Sequence, residues 1–390
     1  MCGLEEMDDT DSSRLPVPYA GLAAELRPGD PVLLNDGIMR LEVISADGDS
    51  GEVVCKVIEG GKITQRKGIN VPGTVVRLPS VGPRDEDALA HAISIDVDFV
   101  AVSYVRNAAD IAPARRMLKE AGCPARIVAK IEHPSALAEL DEILDVADAV
   151  MVARGDLGVE IPPEEVPLAQ DRIVSAARRR GMPVIVATQM LESMIEAAQP
   201  TRAEVSDISN AIRHGATGVM LSAETAAGAH PVEALATMHR VAALTEAEWP
   251  PALAHPVDAD LLYTRAVSYA GVELARAIDA ARLLVATESG HAARLVAAHA
   301  PGLPVTAVTC SLNTLRQMTL IPGVDSVLVE EADRGSTTME SALNELILDG
   351  RLAPGDKVVA ISGSPHAISG STSTARLYHI DDSGSIVGGE

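Results

Sequence analysis

A chain of 390 residues with 47% hydrophobic side chains is long enough for two or three domains, yet only 2% of it is aromatic. Its cores must therefore be built from Ala, Val, Leu and Ile, which suits buried parallel strands and close-packed helices. The formal charge of −23 argues against a nucleic-acid partner. No apolar run reaches the roughly 20 residues needed to span a bilayer, and the acidic start is no signal peptide. Anionic substrates remain possible, because a metal ion and local lysines can reverse the field inside a cleft. Cysteines 2, 55, 123 and 310 form no C-x-x-C pair and read as buried thiols of a cytoplasmic protein.

Residues 1–15 are polar and acidic and read as a flexible tail. From 16 to 82, short strands at Pro31–Leu34, Met39–Ile44 and Glu52–Ile58 alternate with turns at Ser45–Gly51 and Gly60-Gly61, the pattern of a small β-barrel. From 83 to 249, apolar runs alternate with helical patterns. The expected strands are Asp98–Ser103, Arg126–Ile131, Asp148–Ala153, Pro183–Thr188 and Thr217–Ser222, five units of a (β/α) barrel that needs eight to close. Pro250–Asp258 is a Pro-rich joint. The region 250–390 then carries a long helix at Leu262–Ala277 and strands at Arg282–Thr287, Pro304–Thr309, Asp325–Val329 and Lys357–Ser362. This is an open α/β domain, with Asp381–Glu390 as a loose tail.

Chemistry gathers in residues 126–192, where three apolar runs end in reactive side chains. The first ends in Lys130 and Glu132, the second in Arg154, Gly155 and Asp156, the third in Thr188 and Gln189. In parallel α/β architectures the carboxyl ends of the strands share one rim. Glu132 and Asp156 are hard oxygen donors suited to Mg²⁺ or Mn²⁺. Lys130 can neutralise a phosphoryl group in transfer. Backbone N–H groups at Gly155 and Asp156, opening a helix, can receive a carboxylate or phosphate. Thr188 can donate a hydrogen bond or pass a proton. The plainer alternatives are a structural Lys130–Glu132 ion pair and a helix cap at Asp156. His133 reads as a helix start. In the third region, Thr287, Ser289 and Gly290 open a helix and can bind a phosphate, or form a capped helix without a ligand.

These stretches resemble pyruvate kinase. The resemblance rests on Lys130-Ile131-Glu132, MVARGDLGVE at 151–160, ATQMLESM at 187–194, PTRAEVSD at 200–207 and VMLSAETA at 219–226. KGINVPG at 67–73 and Ser103-Tyr104-Val105-Arg106, with Tyr where the family has Phe, extend it. The resemblance implies phosphoryl transfer from phosphoenolpyruvate to ADP, giving pyruvate and ATP. It implies that Lys130 stabilises the phosphoryl group, that Glu132 and Asp156 hold the metal, and that Gly155, Asp156 and Thr188 hold the substrate carboxylate. It further implies a β-rich lid at 16–82, a homotetramer, and a phosphorylated effector at Thr287, Ser289 and Gly290, bound weakly because Ala292 replaces a hydroxyl residue. The family's N-F-S-H-G and G-P-E-I-R-T segments are not in these residues, and with them go a phosphate-binding arginine and the ligands of a possible K⁺. An impaired or non-catalytic relative is therefore the alternative expectation.

Overall fold

The structure, a computed structural model, describes residues 2–3, 14–35, 37–63, 67–74, 76–249, 263–330, 335–363 and 372–388. The expected joint at Pro250–Asp258 lies outside the described residues.

The N-terminal unit is an antiparallel sheet of β1 (Cys2–Gly3), β2 (Pro31–Leu34), β3 (Met39–Asp47), β4 (Glu52–Glu59) and β5 (Gly68–Asn70), in the order β1-β5-β2-β3-β4. Alternating residues of these strands, Val32, Leu34, Met39, Val43 and Ile69, pack on Leu22 and Leu26. The edges β1 and β4 do not pair, so among the described residues the sheet is open where a closed barrel was expected. The β3–β4 hairpin at one edge runs beyond the core, leaving Val54 and Val57 51% and 60% exposed. The expected free tail also needs correcting. Cys2 and Gly3 pair with Ile69 and Gly68, a contact too short to leave a periodic signal.

The central unit is a parallel sheet of β6 (Phe99–Val102), β7 (Arg126–Ile131), β8 (Ala149–Ala153), β9 (Val184–Ala187) and β10 (Gly218–Met220), neighbours in space in chain order. One face packs Ile127, Ile131, Val150, Val152, Val184 and Val186 against helix residues such as Ile143, Ile173 and Ile208. The other face is a smaller cluster of Val128, Ala149, Met151 and Ala187, joined by Leu320 from the C-terminal unit. Every residue of β8 is buried, which explains its unbroken apolar sequence.

The C-terminal unit is a six-stranded sheet, β11 (Arg282–Ala286), β12 (Val305–Thr309), β13 (Val324–Leu328), β14 (Lys357–Ser362), β15 (Thr374–Ile380) and β16 (Ile386–Gly388), ordered β13-β12-β11-β14-β15-β16. The first four are parallel and the last two antiparallel. Residues expected as a loose tail thus form β16. They are brought back by a turn in which Asp381 Oδ1 accepts the N–H groups of Ser383 and Ser385, both at 2.9 Å. β15 mixes Arg376 and His379 with buried Tyr378 and Ile380, a pattern too polar to stand out.

The C-terminal unit docks beneath the central sheet. Arg316 pairs with Asp96 at 2.9 Å and Asp98 at 2.8 Å, and Gln317 Nε2 donates to the carbonyls of Asp98 (3.3 Å) and Pro124 (3.1 Å). These groups precede β6 and β7, so the carboxyl ends of the strands are left to face the N-terminal unit.

Candidate active site

Because β6 to β10 run parallel, the residues that follow each strand share one rim. Ser103 and Tyr104 follow β6, Lys130 is the penultimate residue of β7 with Glu132 just beyond the strand, Asp156 follows β8 and Thr188 follows β9. Between this rim and the N-terminal sheet lies a cavity of about 990 Å³, lined by Asn70, Ser103, Tyr104, Lys130, Glu132 and Asp156 among others. Gly155 and Thr188 are not in its lining.

Lys130 Nζ lies 2.6 Å from Glu132 Oε1 and donates to Ser103 Oγ at 3.0 Å. The ion pair anticipated from the sequence is therefore present. It is a charge contact only: Oε1 is buried and makes no well-directed hydrogen bond. Glu132 is 0% exposed, and its other oxygen accepts the Tyr104 N–H at 2.6 Å. A buried carboxylate is costly unless a cation or further donors meet it, and here Lys130 and the Tyr104 N–H do so.

Tyr104 connects the two carboxylates. Its backbone N–H holds Glu132, and its hydroxyl lies 3.4 Å from Asp156 Oδ1. Its φ of 52° is left-handed, a strained conformation for an aromatic residue. Burial first, and then the charge of Asp156, push the phenol far above its ordinary pKa, so it acts as a neutral donor. Asn70 of β5 donates to Glu160 Oε1 at 2.8 Å and, more loosely at 3.4 Å, to the Tyr104 hydroxyl. The N-terminal sheet is thereby tied to the rim.

Thr188 and Gln189 also have positive φ, 69° and 55°. Thr188 Oγ1 accepts the Gly155 N–H at 2.7 Å and donates to the Ala187 carbonyl at 2.5 Å. The N–H expected to face a substrate is held by the threonine expected beside it. A Cβ at position 155 would sit 3.3 Å from Thr188 Oγ1, and so this approach favours glycine. Asp156 is not a helix cap: the cap of Arg154–Glu160 is Ala153, without a side-chain bond.

Two residues that hold the rim together were not assigned from sequence. Arg154, only 9% exposed, pairs with Asp207 and donates to the carbonyls of Thr188 at 2.8 Å and Gln189 at 3.3 Å. It fixes the strained turn after β9. Glu224, almost fully buried, accepts the N–H groups of Leu191 at 3.1 Å and Ser222 at 2.7 Å. Their motifs, MVARGDLGVE, PTRAEVSD and VMLSAETA, were visible, but which residues meet was not. His133 caps a helix as anticipated, its Nδ1 accepting the Ser135 N–H at 3.2 Å. Burial lowers its pKa.

In the C-terminal unit, Gly290 has φ 77° and begins the helix His291–His299. A Cβ there would lie 2.2 Å from Met318 Cε. Thr287 follows β11. Thr314 Oγ1 donates to the Glu288 carbonyl at 2.7 Å, and Arg126 donates to that of Ser289. Ala292 is buried at 7% exposure.

Among the described residues no group of three or more His, Cys, Asp and Glu side chains is placed to hold a metal, and no helix is long and apolar enough to cross a membrane. Glu132 and Asp156 are two carboxylates on one cavity. Mg²⁺ is commonly held by one or two carboxylates together with substrate oxygens.

A parallel sheet flanked by helices, with reactive residues on one rim, defines an α/β enzyme. Comparison with known proteins narrows this. The family model described as pyruvate kinase, barrel domain matches residues 3–235, and the pyruvate kinase alpha/beta domain matches 265–378. The pyruvate kinase of Agrobacterium vitis is 40% identical over 368 residues, covering 93% of this chain and 76% of the relative. That of Geobacillus stearothermophilus is 39% identical over 380 residues, 95% of this chain and 64% of the relative. The crystal structure of a pyruvate kinase from Cryptosporidium parvum superposes with a TM-score of 0.82 at 32% identity, over 93% of this chain and 74% of that one. The chain belongs to the pyruvate kinase family: it is an enzyme, a phosphotransferase of glycolysis. This favours catalysis over the non-catalytic alternative.

Proposed function

We propose that the rim cavity transfers the phosphoryl group of phosphoenolpyruvate to ADP, giving pyruvate and ATP. The observation that carries this is the convergence of Lys130, Glu132 and Asp156 on one cavity. Glu132 and Asp156 would hold Mg²⁺ or Mn²⁺, which two carboxylates lining one cavity fit. When bound, such an ion neutralises charge on phosphoryl and enolate oxygens.

The chain's own residues do the rest. The Lys130 ammonium lies at the metal-ligand pair and neutralises charge that develops on the phosphoryl oxygens. The Gly155 N–H and the Thr188 hydroxyl, now bonded to each other, exchange that bond for the substrate carboxylate, with Asp156 alongside. Thr188 with water supplies the proton that turns the enolate into pyruvate. The five strands β6–β10 are read as part of a (β/α) barrel. The N-terminal sheet is read as its lid, closing through Asn70 to exclude water. K⁺ as activator, a homotetramer, a cytoplasmic setting and a weakly bound effector at Thr287, Ser289 and Gly290 are parts of the same reading.

The test is a coupled assay for pyruvate with Mg²⁺ and K⁺. Lys130→Met should lower kcat by ~10²–10³ or more, as loss of a preorganised charge contact does. Asp156→Ala should weaken Mn²⁺ binding in a direct titration. Unchanged kcat in the first, or equal Mn²⁺ affinity in the second, removes that residue from the site.

A further inference from the structure

The chain crosses from the N-terminal sheet to the central unit through residues 76–82, which form neither strand nor helix. Val76 still packs on the N-terminal core, and Val81 already packs on the central one. Among the described residues, positions 76–81 make no backbone–backbone hydrogen bond. Backbone polar groups away from water need partners, and here side chains supply them. Arg106 Nη1 donates to the Val76 carbonyl at 2.6 Å, and its Nη2 donates to the Leu78 carbonyl at 2.8 Å. From the N-terminal side, Glu25 Oε1 accepts the Arg77 N–H at 3.1 Å.

Arg106 is itself held in place. Its Nε lies 3.2 Å from Asp110 Oδ2, which also accepts the Arg106 N–H at 2.9 Å. Burial raises the pKa of Asp110, but the hydrogen bonds from Arg106 and Ser80 outweigh it and the net shift is downward. The pair is therefore ionic at neutral pH. A guanidinium carries its donors in a fixed plane, so its tip can span two carbonyls while its flank holds a carboxylate. A lysine ammonium has no such fork.

The crossing segment also bears on the rim. Ser80 Oγ donates to the Tyr104 carbonyl at 3.1 Å. Tyr104 stands two positions before Arg106, and its N–H is the one that holds Glu132. The turn 104–106 thus grips the crossing segment through Arg106 and the Tyr104 carbonyl, and grips Glu132 through the Tyr104 amide. A shift of the N-terminal sheet would pull on the residue that orients the carboxylate. We propose that Arg106 is a positioning residue for phosphoryl transfer, locking the N-terminal sheet over the rim in the register in which Tyr104 presents Glu132. This rests on the reading of that sheet as a lid. The guanidinium is occupied by the crossing segment and Asp110, so it acts through them and not on the reacting atoms.

The test uses the full chain with phosphoenolpyruvate, ADP and Mg²⁺, and measures pyruvate and ATP separately. Arg106→Lys keeps the charge and loses the fork. It should lower kcat about tenfold to a hundredfold, the scale of a small misplacement of reacting groups, with little change in KM. The second readout is the ratio of the two products. Transfer to ADP yields them in equal amounts. If water takes the phosphoryl group instead, its bond to the enol oxygen breaks, and pyruvate and inorganic phosphate form without ATP. A loosened lid admits water, so Arg106→Lys should make more pyruvate than ATP. Lys130→Met, which leaves the crossing segment alone, should be slow with equal products. Should Arg106→Lys fail to fold, Ser80→Ala removes one hydroxyl and should shift both readouts the same way, several-fold in kcat. Unaltered kcat and equal products in these variants overturn the inference and leave phosphoryl transfer standing. A loss of kcat with equal products makes Arg106 a structural support and also overturns it. If the unaltered chain forms no ATP, the phosphoryl-transfer reading fails and this inference falls with it.

Discussion

Glu132 shows how a single side chain can be held in a high-energy setting by its neighbours. One oxygen takes the Tyr104 N–H, while the other touches Lys130 without a directed hydrogen bond. Burying this carboxylate makes sense as preparation for positive charge, and an ion would complete the balance that Lys130 begins. Tyr104, at the position where the family has Phe, braces the arrangement through its backbone and adds a hydroxyl 3.4 Å from Asp156. That distance is long for an O–H···O bond, so the hydroxyl should contribute little. Tyr104→Phe should retain activity within about tenfold and weaken Mn²⁺ binding by less than about 1 kcal/mol. A hundredfold loss in the coupled assay would mean that the hydroxyl takes part in the chemistry.

At the scale of elements, the strand ends are held by interactions remote from the reacting atoms. The helix Arg202–His214 begins with a capping box, in which Thr201 Oγ1 accepts the Glu204 N–H at 3.3 Å and Glu204 accepts the Thr201 N–H at 2.7 Å. Glu204 also accepts Ser193 N–H at 2.7 Å and Ser193 Oγ at 2.6 Å, tying this helix to the segment after β9. Burial raises the pKa of Glu204, but the hydrogen bonds from Ser193 and Thr201 outweigh it, and the net shift is downward. A carboxylate whose folded pKa is depressed adds stability above its unfolded pKa and loses it as pH falls through the folded one. Glu204→Gln should therefore destabilise the protein by ~1 kcal/mol near pH 7. The difference should shrink as pH falls below the usual glutamate range. Urea midpoints of both proteins across pH check this, and a difference that grows in acid would contradict it.

Across the whole molecule, the central sheet has a different neighbour at each end of its strands. The N-terminal sheet faces the rim through Asn70 and Glu160, and the C-terminal unit docks below through Arg316 and Gln317. The central and C-terminal units have separate cores, with Leu320 reaching from one into the inner face of the other. Among the described residues, docking is carried by these polar side chains together with apolar contacts such as those of Leu320. Arg316→Ala with Gln317→Ala should leave both cores intact but uncouple them. A calorimetric scan should change from one transition towards two. A single unsplit transition at the original temperature would show that other contacts carry the seam.

Much of this organisation was legible without coordinates. Short apolar runs such as Ala149–Ala153 and Val184–Ala187 announce buried parallel strands, because each residue must be apolar when both faces are covered. Parallel order then places Lys130, Glu132, Asp156 and Thr188 at one rim, since every strand ends on the same side. The motifs around them identified the family. Contacts between distant positions were not legible. Arg154 and Asp207 stand 53 positions apart, and neither carries a local sign of the other. The same holds for the bond that occupies Gly155 with Thr188, the return of β16 onto β15, and the open N-terminal sheet. Local sequence determined element type and the chemistry at strand ends, because side-chain period and polarity act over a few residues. Only the tertiary structure decided which donors are already taken, as the Gly155 N–H is by Thr188, because that depends on the packing of segments far apart in the chain.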